Sequence, residues 1–301
     1  MDFSLLISDI YRKVWAIEPR LALSYGPIIA NILEGKNTIA MNKEELVICA
    51  ISDSGDRFNQ FSDAPKGSVA IIPLKGVMRK YGGPCSYGTE DIASVMDDAT
   101  NSDNIDSIIL DIDSGGGAVD AISPMIESIK KAKLAGKPSI AFCDLAASAA
   151  YFVASECDSI IASNDISSEF GSIGVIASFM DMKPYFEAMG YKFHTVYAPE
   201  SNYKNLPLEN ALKSEEDGGP DYAMLKSEVL SPLAQKFMDT VKKNRCDSLN
   251  QDTEGILNGR MFYAKDAVKA GLADKIGNID VALKEAKKYS TAYKFNNPKK
   301  K

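Results

Sequence analysis

From residue 68 onward, short β-rich apolar runs alternate with stretches of helical periodicity, and this alternation sets the expected architecture. SVAIIPLKG (residues 68–76) predicts a buried strand, TEDIASVMDDATN (89–101) a helix with acidic residues in its first turn, and IDSIILDID (105–113) a second strand. A helix over 121–135, the strand PSIAFCD (138–144), a helix starting at Ser148 and the strand DSIIAS (158–163) continue the pattern. The apolar run GSIGVIASF (171–179) reads as a further strand, followed by a helix near 182–189. YKFHTVYA (191–198) alternates polar and apolar residues, as a half-buried strand does. Recurrent strand–loop–helix order implies an α/β fold with a largely parallel sheet.

The flanks have a different texture. The first 65 residues hold an amphipathic opening helix, a second helical stretch around 25–34, and polar sequence rich in Gly, Ser, Asp and Asn over 52–66. This predicts a helical N-terminal extension and linker over 1–66, a main domain over 67–289, and a disordered basic tail over 290–301. A polar, proline-containing loop covers 198–220. Beyond it Leu225, Val229, Leu233, Phe237 and Val241 recur every fourth residue, predicting a helix that Pro232 kinks or restarts.

Composition narrows the function classes. With 301 residues and 45% hydrophobic content, the chain can bury a sizeable core. A net charge of −7 argues against a nucleic-acid surface, and PKKK at the C-terminus is the one basic cluster. No run approaches the roughly 20 apolar residues of a membrane span. The N-terminus lacks the basic-then-apolar order of a secretion signal. Five scattered cysteines without CxxC spacing fit a reducing cytoplasm. The single histidine, His194, rules out a multi-histidine metal site, and a serine–histidine triad would have to use it. Its place in an alternating stretch reads as a surface or satisfied core residue.

Three features carry candidate chemistry. Gly115, Gly116 and Gly117 lie between a strand end and a helix start, where unobstructed backbone N–H groups could receive an anion or oxyanion. The plain alternative is a tight turn, and the absence of GxGxxG or a following Lys-Ser/Thr disfavours nucleotide phosphate. Ser148 sits among Ala146, Ala147, Ala149 and Ala150, so a substrate backbone could approach a hydroxyl at a helix N-terminus. Taken alone it could equally be an N-cap serine. Lys204 lies in the polar loop beside Tyr203 and Leu206; desolvation would lower its pKa and let the neutral amine take the Ser148 proton, although a surface lysine is the ordinary reading.

Together these motifs resemble the signal peptide peptidase A family of serine–lysine peptidases, within the Clp protease and crotonase superfamily. The resemblance spans roughly residues 68–288: the strand-then-SGGG turn, AASAAYF, GSIGV, the later lysine, and LNGRMFYAKDAVKAGLADKIG (257–277). It implies a Clp protease/crotonase-like spiral of ββα units. It also implies Ser148 as nucleophile, Lys204 as general base with Lys213 as fallback, and an oxyanion hole from backbone N–H groups at Gly115, Gly116 and Ala149. Gly171, Ser172, Ile173, Gly174 and Val175 would bind an extended substrate, with Ile173 and Val175 beside specificity pockets. Three departures stand out: alanines at 149 and 150 replace glycines, Gly115 replaces a proline, and the loop before Lys204 is longer and lacks a glycine.

The stretch KVWAIEPRLALSYGPIIANILEG (13–35) resembles the start of tailed-phage head-maturation proteases, with Val14 in place of a proline. The implied activity is a serine endopeptidase acting on capsid, portal or scaffold proteins inside a prohead in the host cytoplasm. Such an enzyme would form a homo-oligomer, without membrane or nucleic-acid partners, and any scaffold would be a separate protein. The competing expectations are a free cytoplasmic bacterial peptidase, a catalytically silent head-assembly protein, and, more distantly, a crotonase-like acyl-CoA enzyme.

Overall fold

The apolar run in IDSIILDIDS makes one strand the centre of the sheet, because residues alternate between two faces and both faces are covered. The computed structural model describes residues 15–17, 46–82, 87–179, 181 and 183–296. Strands β1 (Trp15–Ile17), β2 (Cys49–Ile51), β3 (Arg57–Phe58) and β4 (Ser68–Lys75) come first. They are followed by α1 (Thr89–Asn101), β5 (Ile105–Ser114), β6 (Gly116–Ala118), α2 (Ile122–Leu134), β7 (Ser139–Ala147) and α3 (Ala149–Ser155). Next come β8 (Ser159–Ala162), β9 (Glu169–Gly171), α4 (Lys183–Ala188), α5 (Leu206–Ala211) and α6 (Ser231–Arg245). β10 (Met261–Tyr263), α7 (Ala264–Lys269), β11 (Lys275–Ile276) and α8 (Ile279–Asn296) complete the order.

β5 pairs in parallel with β4 on one side and β7 on the other. Beyond β4 the sheet continues antiparallel through β2 and β3. Beyond β7 it forks: Ile140–Cys143 pair with β8, while Leu145–Ala147 pair with β9. The fork coincides with a register shift in which Asp144 is skipped between the pairs Ile112–Cys143 and Asp113–Leu145, as at a β-bulge. The Asp144 carboxylate accepts from Asn164 Nδ2 (3.0 Å), Ser167 Oγ (3.1 Å) and Ser163 Oγ (3.2 Å), which ties the connection between the two branches to the fork. One branch ends in β11, parallel to β8; the other ends in β10, antiparallel to β9.

Ile108, Leu110 and Ile112 face the larger core, shared with buried residues of α1, α2 and α3. Val69, Ile109, Ile140 and Ile161 face the other way, onto Ala282 and Ala286 of α8. Among the described residues no helix is long and apolar enough to cross a membrane.

The α/β class and the parallel centre agree with expectation, and several local expectations are corrected. Residues 52–66, read as linker, belong to a folded edge: β2 and β3 form a hairpin whose turn is held by the Asp56 N–H on Ser52 Oγ (3.0 Å). The GSIGV strand stops at Gly171, where the backbone turns. The alternating 191–198 stretch is not a strand; among the described residues no edge pairs with it, and it is largely exposed. The last helix runs through Asn296, so 290–296 is not a disordered tail; Tyr293 Oη donates to Asp158 (2.7 Å) and Lys294 pairs with Asp106. Pro232 does restart the helix, standing in the first turn of α6 after the π-helical stretch Leu225–Leu230, where a missing N–H costs little. Phe237 and Val241 of that stripe are core, Phe237 packing on Phe152 at 4.9 Å between centroids. The helical stretches expected in 1–45 lie outside the described residues, apart from Trp15–Ile17, which is a strand.

Candidate active site

Ser148 stands where β7 ends and α3 begins, with φ 54° and ψ −120°. A non-glycine residue held there stores roughly 1–3 kcal/mol of strain, which persists only where the surroundings over-determine it. They do: the Ser148 N–H donates to the Gly171 carbonyl (2.9 Å) and its own carbonyl accepts from the Phe152 N–H (2.9 Å). Such a sharp strand-to-helix turn lifts a nucleophile's hydroxyl away from its own backbone. The N-cap alternative fails, since the side chain makes no capping hydrogen bond. Ser148 Oγ instead lies 3.4 Å from the Gly174 carbonyl. Ala146, Ala147, Ala149 and Ala150 around it are fully buried. At the first position of α3, the Ala149 N–H makes no hydrogen bond among the described residues, so it is free to meet an oxyanion.

The glycine turn lies beside this elbow, because Ser114 at the end of β5 pairs with Ala146 of β7 and because α3 packs against β6. It is shaped by close backbone contact. Met78 donates its N–H to the Gly116 carbonyl and accepts from the Ala118 N–H, both at 2.9 Å, and a Cβ at position 117 would lie 2.0 Å from the Met78 oxygen. Ser114 Oγ donates to the Gly76 carbonyl (2.5 Å) and accepts from the Gly116 N–H (3.1 Å). The Gly116 N–H is therefore already engaged. Sequence reasoning missed both bracing groups: Met78 acts only through its backbone, and the serine of SGGG was overshadowed by the glycines after it.

Of the residues expected to bind substrate, Gly171 ends β9 with φ 127°, and a Cβ there would meet the Arg260 oxygen at 2.2 Å. The Arg260 carbonyl also accepts the Ser172 N–H (3.1 Å), so the NGRMF part of the closing motif holds the β9 end against the Ser148 turn. Ser172 has φ 50°, and the chain bends at Gly174, whose carbonyl faces Ser148 Oγ. Ile173 is buried in the main core, while Val175 is half-buried.

Lys204 is solvent-exposed in a turn whose N–H donates to Ser201 (3.0 Å), and no hydrogen bond joins its amine to Ser148 among the described residues. Its neighbour Tyr203 is 73% exposed as well. Lys213 and His194 are exposed too. Burial pushes the thiols of Cys143, Cys157 and Cys49 upward, which makes them inert as nucleophiles. Among the described residues no group of His, Cys, Asp or Glu could hold a metal ion.

The profile of peptidase family S49 matches residues 131–292, more than half of the chain. The chain belongs to peptidase family S49. That agrees with the resemblance drawn from its motifs, and S49 is a family of Ser-Lys dyad serine peptidases. Serine protease SPPA, chloroplastic, of Arabidopsis thaliana is 28% identical over 232 residues, covering 74% of this chain and 32% of that protein. Protease 4 of Haemophilus influenzae is 27% identical over 240 residues, covering 77% and 36%. The head-tail preconnector protein GP5 of Enterobacteria phage P21 is 25% identical over 228 residues, covering 71% and 42%. The match extends over between 32% and 58% of the length of such curated relatives. Similar solved structures include a mutant of the 1510-N membrane-bound stomatin-specific protease (16% identity, 73% of this chain and 84% of that one, TM-score 0.39). Another is an enoyl-CoA hydratase of Mycobacterium smegmatis (9% identity, 82% and 77%, TM-score 0.44).

Proposed function

We propose that this S49 protein is a serine endopeptidase in which Ser148 is the nucleophile. The observation that carries the proposal is the strained, uncapped Ser148 at the β7–α3 turn, beside a free Ala149 N–H. Ser148 Oγ adds to the scissile carbonyl while its proton passes to Lys204. The oxyanion is held by the Ala149 N–H and the glycine turn, with Gly115 contributing where Gly116 is engaged. Collapse expels the amine, which leaves with the proton from Lys204, and water then releases the acyl group from Ser148. Because Lys204 is exposed in one protomer, its amine must be brought onto Ser148 and desolvated, and assembly into a homo-oligomer supplies that covering surface.

The substrates proposed are capsid, portal or scaffold proteins of a phage head, cleaved without a metal or organic cofactor. The likeness to the phage P21 preconnector protein and the 13–35 stretch support this choice. The test is intact-mass spectrometry of candidate head proteins incubated with wild type and with Ser148→Ala. Discrete fragments that vanish in the variant support the proposal. Identical masses with both folded, assembled proteins remove it in favour of a silent assembly role.

A further inference from the structure

β6 is a strand with two usable edges, and its hydrogen bonds decide what each one does. The Gly116 carbonyl and the Ala118 N–H point to Met78. Strand geometry therefore turns the N–H and carbonyl of Gly117 the opposite way. On that side lies β1, antiparallel, with Trp15 opposite Ala118, Ala16 opposite Gly117 and Ile17 opposite Gly116. The direction matters as much as the pairing. The chain of β1 runs from the Ala118 end toward the Gly116 end, toward the turn that lies beside Ala146 and, through it, Ser148.

We propose that residues 15–17 are a built-in occupant of the Gly117 edge of β6, blocking extended substrate there until displaced. This rests on Ser148 being the peptidase nucleophile. An extended substrate added to this edge gains main-chain hydrogen bonds without regard to its side chains, and its antiparallel direction delivers the next carbonyl toward the elbow. The same edge cannot serve β1 and a substrate together. Tethering gives the occupant an effective concentration on the order of 1 mM, which substrate must outcompete, so the expected block is about tenfold.

The test uses the full chain carrying Ala16→Pro, which removes the N–H facing the Gly117 carbonyl. Two readouts are needed: hydrolysis of an extended fluorogenic peptide, and amide hydrogen exchange at Gly117 followed by NMR. The proposal expects KM to fall and kcat/KM to rise about tenfold, with faster Gly117 exchange. A synthetic peptide of the sequence KVWAIEP should restore competitive inhibition of the variant, and a version with proline for the central alanine should not. Unchanged Gly117 exchange, or faster exchange with unchanged turnover, overturns the inference while leaving the peptidase reading intact. Faster exchange with no hydrolysis by any variant, wild type included, removes the block on turnover together with the peptidase reading.

Discussion

Arg245→Met should cost about 3 kcal/mol of stability at neutral pH, and the reason lies in one half-buried charge cluster. Arg245 is 7% exposed at the end of α6, where its Nε donates to the Gly271 carbonyl (2.8 Å) and its guanidinium pairs with Asp274 at 2.6 Å. Asp274 also accepts the Ile160 N–H (2.7 Å) and the Ser159 hydroxyl (3.2 Å), so the cluster joins α6 to β8 behind α3. Burial alone would raise the Asp274 pKa, but the Arg245 hydrogen bond and charge hold it below the usual carboxylate value. Removing one member of a buried pair strands the other charge, at about 3–5 kcal/mol; the partial exposure of Asp274 places the expectation at the low end. In a domain of this size that lowers Tm by roughly 6–12 °C. The sign of the pH dependence follows. A depressed carboxylate contributes stability above its unfolded pKa, and this is lost as pH falls through the folded value. In Arg245→Met burial instead raises the Asp274 pKa, so the variant should lose less than wild type on acidification. The assay is urea unfolding of both proteins at neutral pH and near pH 4. A neutral-pH loss below about 1 kcal/mol, or parallel pH profiles, would refute the reasoning.

Ser148→Gly should be inactive yet more stable by about 1 kcal/mol in the same unfolding assay, because glycine accepts φ 54° without strain. Gly117→Ala should cost about 2 kcal/mol or more and abolish turnover, since its Cβ would meet the Met78 oxygen and break the two 2.9 Å hydrogen bonds there. Lys204→Ala should lower kcat by about 10²–10⁴ with no change in Tm, the exposed side chain having no hydrogen bond to lose among the described residues. Among Cys49, Cys143, Cys157 and Cys246, a thiol-alkylating reagent should label only Cys246 in the native protein, as read by peptide mass mapping, because the other three are buried.

Much of the centre of the fold was legible because β4, β5 and β7 are covered on both faces, and their apolar runs advertise it. The helix start at Ser148 was legible too, through the small residues that its tight turn demands. The hairpin at 46–66 was not, since its polar turn residues look the same in a linker as in a strand edge. The 191–198 stretch has strand periodicity but no partner edge among the described residues, and periodicity cannot supply one. Ser114, Met78 and Arg260 shape the site through hydrogen bonds with the backbones of Gly76, Gly116, Ala118 and Ser172, a contribution that leaves little trace in side-chain chemistry. The pairing of Trp15–Ile17 with β6 depends on two segments a hundred residues apart meeting in register, and a short apolar stretch near a terminus carries no sign of that.

The central claim, that Ser148 is the nucleophile, is tested most directly by treating the protein with a serine-reactive fluorophosphonate and weighing it intact. The account predicts one adduct per chain, mapping to the peptide that contains Ser148 and absent from Ser148→Ala. An adduct at another residue, or cleavage of a protein substrate by Ser148→Ala at the wild-type rate, would contradict it.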